Sequence, residues 1–177
     1  MLPLWEDLTE YWGEAREVRP DQPLMATDAP PLIAPDPDVR RARPDEMERY
    51  LPAAISMFIE EVGVDPRLGD GGAGYRARVA ELIGAGRAFT RVENGEVIFK
   101  AEIGALSTRV GQIQGVWVHP DWRGRGLGQH GTAAVVDHLV RAGRVASLYV
   151  NAFNTPARAA YDRVGFRQIA SFATVLF

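Results

Sequence analysis

Hydrophobic positions recur at two spacings along this chain. Residues 45–62 follow Pro44 and place Met47, Leu51, Ile55, Phe58 and Val62 on one side of a helix. A glycine-rich loop, Gly63 to Gly74, leads to a second short helix over Tyr75–Ile83, which Gly84 and Gly86 close. Ala88–Val92 and Val97–Ala105 flank Asn94-Gly95, a pair suited to the positive φ of a tight hairpin turn. Gln112–Val118 reads as another strand. Leu127–Arg141 reads as a helix whose buried stripe runs through Gly131, Thr132, Val135, Val136, Leu139 and Val140. A strand over Val145–Val150, a helix over Pro156–Val164 and one or two strands in Phe166–Phe177 complete the pattern. Hairpins and crossovers both occur, so the fold class is α/β with a mixed sheet.

The first 38 residues read differently. Six prolines fall between positions 20 and 38 (Pro20, Pro23, Pro30, Pro31, Pro35 and Pro37), which predicts an extended connector. Ahead of it, Leu4, Trp5, Leu8 and Trp12 mark a short amphipathic helix, too small to fold alone. The expected division is therefore 1–38, an arm or the remnant of a preceding domain, and 39–177, the main domain. The Leu4–Trp12 face offers a surface for docking on the main domain or on a second copy, which leaves a homodimer open.

Charge and composition narrow the chemistry. The net charge is −3, so no global basic field is present to hold nucleic acid. There is no cysteine, which excludes thiolate nucleophiles and cysteine metal sites, and His119, His130 and His138 lack zinc-type spacing. No apolar run approaches the ~20 residues of a membrane helix, and no signal-peptide pattern opens the sequence, so a soluble, cytoplasmic protein without a membrane partner is expected. Lys100 is the only lysine among the 20 basic residues. An arginine excess of this kind accompanies GC-rich coding, so an arginine counts as functional only where its position supports it.

The most informative stretch runs from Val116, Trp117 and Val118 through His119-Pro120-Asp121-Trp122 to Arg123-Gly124-Arg125-Gly126-Leu127-Gly128-Gln129. A strand enters a proline turn, then a glycine-rich loop, then a helix. Glycines let backbone approach a ligand, and the first N–H groups of a helix lack intrahelical partners, so the loop is an anion site suited to a pyrophosphate. A nucleotide-triphosphate loop would need Gly-Lys-Ser/Thr, but Gly128 is followed by Gln129-His130. A dinucleotide fold would need other glycine spacing and an acid near residues 145–150, where none stands.

Arg123-x-x-Gly126-x-Gly128, preceded by Val118-x-Pro120, resembles the acetyl-CoA motif of the GNAT superfamily of N-acetyltransferases. A second segment follows in that family's order: Asn154-Thr155-Pro156-Ala157 opens a helix, Tyr161 lies inside it and Gly165-Phe166 closes it. The resemblance covers residues 39–177. It implies a mostly antiparallel sheet flanked by helices, with a V-shaped opening between two parallel strands that end at Val118 and Val150. It also implies direct acetyl transfer from acetyl-CoA to a small-molecule or peptide amine, with coenzyme A released. The residues from Val116 to Val118, those from Arg123 to Gln129, and Asn154 would bind the cofactor. The arm, the proline-rich stretch and the Phe172–Phe177 ending resemble a narrower group from GC-rich bacteria, in which a degenerate acetyltransferase-like half precedes an active one.

Catalytic candidates follow from the same resemblance. Tyr161 is the expected proton donor to the leaving thiolate; otherwise it is a core tyrosine. Asn154 contacts the cofactor or serves as a turn residue, with Thr155 the expected helix cap. Many relatives carry a glutamate where Gln112 or Gln114 stands, and glutamine cannot accept a proton. Glu102 is the substitute base; the alternative is a pair with Lys100 on a solvated strand face. The missing glutamate also motivates a rival function, a non-catalytic acyl-CoA-binding sensor or regulatory module. Glu60 and Glu61 read as surface acids at a helix end, His130 and His138 as solvated, and Trp117 as core.

Overall fold

The computed structural model describes residues 2–177. Helix α1 (Leu2–Trp12) precedes strand β1 (Glu17–Thr27), and a short β2 (Arg40–Arg41) leads through a 3₁₀ turn at Pro44–Glu46 into α2 (Met47–Val62). Then come α3 (Ala73–Gly84), β3 (Ala88–Glu93), β4 (Glu96–Leu106), β5 (Val110–Val118) and a second 3₁₀ turn at Pro120–Trp122. Helix α4 (Leu127–Arg141), β6 (Val145–Tyr149), α5 (Thr155–Val164) and β7 (Arg167–Leu176) complete the chain. One seven-stranded sheet forms in the order β2-β3-β4-β5-β6-β1-β7. Among the described residues only β5 and β6 run parallel; every other neighbouring pair is antiparallel.

Strand β4 is the sheet's buried spine, with Val97 through Ile103 all inaccessible. Apolar side chains on both of its faces require cover on both sides. Phe99, Ile103 and Ile113 pack with Val135, Val136 and Leu139 of α4 and with Val164 of α5. Ala53, Met57, Val97 and Trp117 join on the α2 side, while Tyr50, Ala54, Val79 and Leu82 bind α2 to α3. Gly131 lets α4 come close: a Cβ there would stand 2.6 Å from the Phe99 ring. Asn94 and Gly95 adopt φ of 49° and 84°, the positive-φ pair that the β3–β4 hairpin demands.

The structure differs from the sequence reading at the N-terminus. Residues 17–27, where a connector was expected to begin, form β1, hydrogen-bonded to β6 on one side and β7 on the other. Pro20 falls where the β1–β7 register shifts, between Arg19 and Gln22, and Pro23, opposite Ser171, serves the sheet through its carbonyl oxygen, which accepts from Val150 N. The arm docks on its own chain, with Trp5 and Trp12 placing their rings 5.5 and 5.7 Å from that of Phe177. No described helix is long and apolar enough to cross a membrane, and no described cluster of His, Asp and Glu could hold a metal ion.

Candidate active site

The sheet opens between its two parallel strands. β5 and β6 pair at Val110–Val145, Gly111–Ala146 and Gln112–Ser147, and pairing then stops. Just beyond, β5 carries a bulge: Lys100 faces Trp117 and Glu102 faces Gln114, so Gly115 and Val116 together oppose Ala101. Gly115 has φ of 57°, a conformation glycine adopts without strain, and a bulge bends its strand. Meanwhile β1 occupies the far edge of β6, pairing Leu24 with Tyr149. The resulting cleft leaves the β6-facing main-chain groups of β5 beyond Gln112 without a strand partner.

Two adjoining cavities fill the cleft. The larger, about 760 Å³, is bounded by Val116 to Val118, by Arg123, Gly124 and Gly126 to Gln129 of the loop, and by Asn154, Ala157 and Tyr161 of the second segment; Arg125 lines a separate pocket with Trp122 and His130 instead. The smaller, about 250 Å³, is bounded by Gln22, Glu60, Glu61, Gln114, Tyr149 and Asn151 among others. Glu60, Val116, Trp117, Asn154 and Tyr161 border both.

The loop has the form an anion site requires. Gly126 precedes α4 at φ of 81°, and no backbone acceptor takes the N–H groups of Arg125 to Gln129 among the described residues. Those N–H groups sit at the positive end of a 15-residue helix. Gly124 has open space around its would-be Cβ. The arginines are not free rim charges: Arg123 donates to Val118 O (3.0 Å) and to Glu60 Oε2 (2.7 Å), and Arg125 lies over the Trp122 ring at 5.3 Å. A phosphate-bearing ligand fits this cradle, because orphaned N–H groups and the space in front of them coincide.

Tyr161 is 8% exposed, borders both cavities, and its hydroxyl has no protein hydrogen-bond partner among the described residues. Burial pushes its phenol pKa upward. Asn154 rather than Thr155 is the cap of α5, its Oδ1 accepting from Ala157 N at 3.2 Å. The amide N–H₂ is thereby left for the cleft.

Glu102 lies elsewhere than a solvated strand face. Lys100 Nζ is 2.7 Å from Glu102 Oε1, both side chains are buried, and the Tyr50 hydroxyl donates weakly to the same oxygen at 3.4 Å. Burial lowers the Lys100 pKa, and the Glu102 charge opposes that shift. Glu102 borders neither cavity; the pair sits behind Gly115, where a Cβ would meet Lys100 Nζ at 2.9 Å.

Glu60 and Glu61 are exposed, as read from the sequence, and also border the cleft. Glu60 accepts from Trp117 Nε1 at 3.0 Å and pairs with Arg123. Glu61 is exposed, and burial of its carboxyl against the cleft wall raises its pKa, opposed by the charges of Arg19 and Lys100. Two histidines are also more engaged than expected: His130 Nδ1 meets Ala34 O at 2.8 Å, and His138 packs on Phe89 with its pKa lowered by burial.

A sheet parted between two parallel strands, with a glycine loop at a helix start in the gap, defines the GNAT fold. Residues 98–175 match the FR47-like protein family, and residues 1–50 match a domain of unknown function, DUF4081. The fold agrees with that of a GNAT-family acetyltransferase from Colwellia psychrerythraea (TM-score 0.69, 12% identity, 98% of this chain and 61% of that one). It agrees also with a predicted acetyltransferase from Clostridium acetobutylicum solved with acetyl-CoA (TM-score 0.62, 16% identity, 76% and 92%). The fold is therefore that of GNAT acetyltransferases of known structure.

Part of the chain is similar to mycothiol acetyltransferases. Identity is 40% over 63 residues with that of Kocuria rhizophila (35% of this chain, 21% of that protein) and 38% over 94 residues with that of Cellulomonas flavigena (52% and 26%). The matches span about a quarter or less of those curated relatives.

Proposed function

We propose that this chain is an acetyltransferase that takes acetyl-CoA in the larger cavity and a small amine in the smaller one. The observation that carries this reading is the shared border: Tyr161 and the β5 edge at Val116 face an anion cradle on one side and a carboxylate-walled pocket on the other. Acetyl-CoA, when bound, supplies the acetyl group as an activated thioester. The loop from Arg123 to Gln129 and the start of α4 hold the pyrophosphate, and the unpaired edge of β5 from Val116 to Val118 holds the arm. A main-chain N–H on that edge stands ready to donate to a carbonyl oxygen as it gains charge.

The acceptor arrives as an ammonium, because an amine of pKa about 10 is protonated at neutral pH. On this reading Glu61 receives that proton. It borders the pocket, and its raised pKa makes it a better base than an ordinary carboxylate. Glu102, held by Lys100 behind Gly115, is the less accessible of the two. Tyr161 offers an O–H to the departing sulfur. Since its pKa lies above that of a thiol, its main contribution is a hydrogen bond rather than complete proton transfer. The missing acid at Gln112 and Gln114, which suggested a non-catalytic module, is made good by an acid from α2. The partial likeness to mycothiol acetyltransferases supports a polar, low-molecular-weight acceptor.

Thiol release from acetyl-CoA with a panel of primary amines tests this reading, with Glu61→Gln and Glu102→Gln side by side. Glu61→Gln is expected to lower the rate about 10²-fold near pH 7 and to recover as pH rises and free amine accumulates. An active enzyme with that loss confined to Glu102→Gln returns the base to β4. Acetyl-CoA binding without turnover on any amine makes the chain a sensor.

A further inference from the structure

Helix α2 ends with a charge that its own residues do not balance. Its last turn places Glu60 and Glu61 at the negative end of the helix dipole, and no basic residue stands in that turn. Gly63 satisfies one free carbonyl: at φ of 75° its N–H donates to Ile59 O. Two more carbonyls are taken from outside the helix. Arg16 Nη1 donates to Val62 O and Arg19 Nη2 to Glu61 O, each at 2.7 Å. Arg16 stands just before β1 and Arg19 within it, so the cations that α2 lacks are supplied by a distant strand.

The two arginines are not equivalent. Arg16 is exposed, so solvent screens its charge. The Arg19 side chain is only 10% exposed, and Glu17 holds its Nε and Nη2 at 2.8 and 2.9 Å. The fork is thereby fixed with its second Nη2 N–H aimed at Glu61 O. Glu61 itself borders the smaller cavity. The charged and titratable groups that act with its carboxyl are Arg19 of β1, Lys100 and Glu102 of β4, Tyr75 of α3, Tyr149 of β6 and Tyr161 of α5, beside its neighbour Glu60. Burial raises the Glu61 pKa, the Arg19 and Lys100 charges lower it, and the Glu102 charge raises it again. Arg19 therefore acts on both the backbone and the carboxyl of one residue.

We infer that Arg19 is a positioning residue of the transfer reaction, acting through Glu61 by holding the end of α2 that sets this carboxylate in the cleft wall. The inference rests on the reading of Glu61 as base and goes beyond it by naming what keeps the base in place. Without Arg19 the Glu61 carbonyl loses its partner, and two acids remain at a helix end with one cation fewer. A helix end without partners for its carbonyls frays, and the carboxylate then samples positions away from the amine. The electrostatic effect has a definite sign. A nearby cation favours the ionised carboxylate, so removing it raises the pH at which Glu61 gives up its proton. The positioning residue lies on β1, apart from the segments that carry the cofactor loop and Tyr161.

Two measurements on the whole chain test this: the pH profile of kcat/KM with an accepted primary amine, and carbon-13 titration of the glutamate carboxyls. The Glu61 signal is the one lost in Glu61→Gln. Arg19→Met is expected to lower the plateau of kcat/KM about tenfold. It should also move the acid limb and the Glu61 carboxyl midpoint upward together, by about 0.5 to 1 in pH. Arg19→Gln keeps an N–H for the Glu61 carbonyl but no charge, so the same upward shift is expected with a smaller loss of rate. Arg16→Met removes the neighbouring helix-end hydrogen bond and is expected to leave both midpoints in place. Should Arg19→Met fail to fold, Arg19→Gln carries the test. A purely structural role would lower Tm in the Arg16 and Arg19 variants alike and move no midpoint. An unmoved midpoint in the folded Arg19 variants, with Glu61→Gln still impaired, overturns the inference and leaves the base reading intact; an equal shift in Arg16→Met overturns it as well. A midpoint that moves in Arg19→Met while Glu61→Gln retains the full rate defeats the reading of Glu61 as base, and with it the part of Arg19 in the reaction.

Discussion

Lys100 Nζ stands 2.7 Å from Glu102 Oε1, and the pair lies behind the Gly115 bulge together with Met57 of α2. A buried ion pair is costly to break from one side, because the remaining charge has neither water nor partner. Lys100→Met is expected to destabilise the fold by about 3–5 kcal/mol. Adding Glu102→Leu is expected to restore most of that loss, since the orphaned carboxylate is removed. Urea unfolding of the single and double variants measures both. Equal destabilisation in the two would mean that Lys100 acts through packing alone.

Glu46 gives the acid limb of stability a definite source. Arg40 holds both its carboxylate oxygens at 2.7 Å, the Arg43 N–H donates at 2.9 Å, and its pKa falls to about 2 from an ordinary 4.5. A carboxyl whose folded pKa is depressed contributes stability above its unfolded pKa and loses it as pH falls toward the folded value. The wild type should therefore lose stability between about pH 4.5 and 2 through this group. In Glu46→Gln the pH dependence of the urea midpoint across that window should be shallower. A parallel curve would assign the acid limb to other carboxylates.

Gly128 is a cleaner probe of the cofactor cradle than Gly126. Gly126 has φ of 81° and a Cβ there would crowd His130, so its replacement strains the loop before any ligand arrives. Gly128 is helical, and a Cβ there would make ordinary contact with Val118 at 3.4 Å. Gly128→Ala should leave the free protein as stable as the wild type or up to ~1 kcal/mol more stable. The same methyl group occupies the cradle, so the rise in Tm with millimolar coenzyme A should shrink. An undiminished rise would move the pyrophosphate away from the first turn of α4.

Tyr161→Phe removes a hydroxyl that has no protein partner and should cost little stability. With acetyl-CoA and an accepted amine, kcat is expected to fall about 10- to 100-fold while the Kd for coenzyme A stays nearly constant. Parallel measurement of kcat and Tm distinguishes this from a packing role, which would lower Tm by the equivalent of roughly 1 kcal/mol and spare kcat.

Features that depend on a few adjacent residues were legible in the sequence. Asn94-Gly95 dictated a hairpin, and Arg123 to Gly128 dictated a loop that could receive an anion, because turn geometry and free N–H groups are local properties. β1 was hidden by Pro20 and Pro23, whose missing N–H groups ordinarily exclude a central strand; a register shift at that point is a property of two strands, not one. The acidic cleft wall was hidden for a similar reason. Glu60 and Glu61 resemble any pair of acids at a helix end until Arg16, Arg19 and Trp117 arrive from elsewhere in the chain. Lys100 and Glu102 share one face of β4, as alternation required, but only the packing of α2 determines that this face is dry.

The position of β1 also governs how the molecule comes into being. Leu24 pairs with Tyr149 and Ala170, so β1 is joined to strands made more than a hundred residues after it, and a long loop must close before the pairing forms. Long-range closure of this kind is slow. Until it happens, β6 and β7 present open edges to other nascent chains. Synthesis of these strands therefore carries an interval of aggregation risk that ends only when β1 settles between β6 and β7.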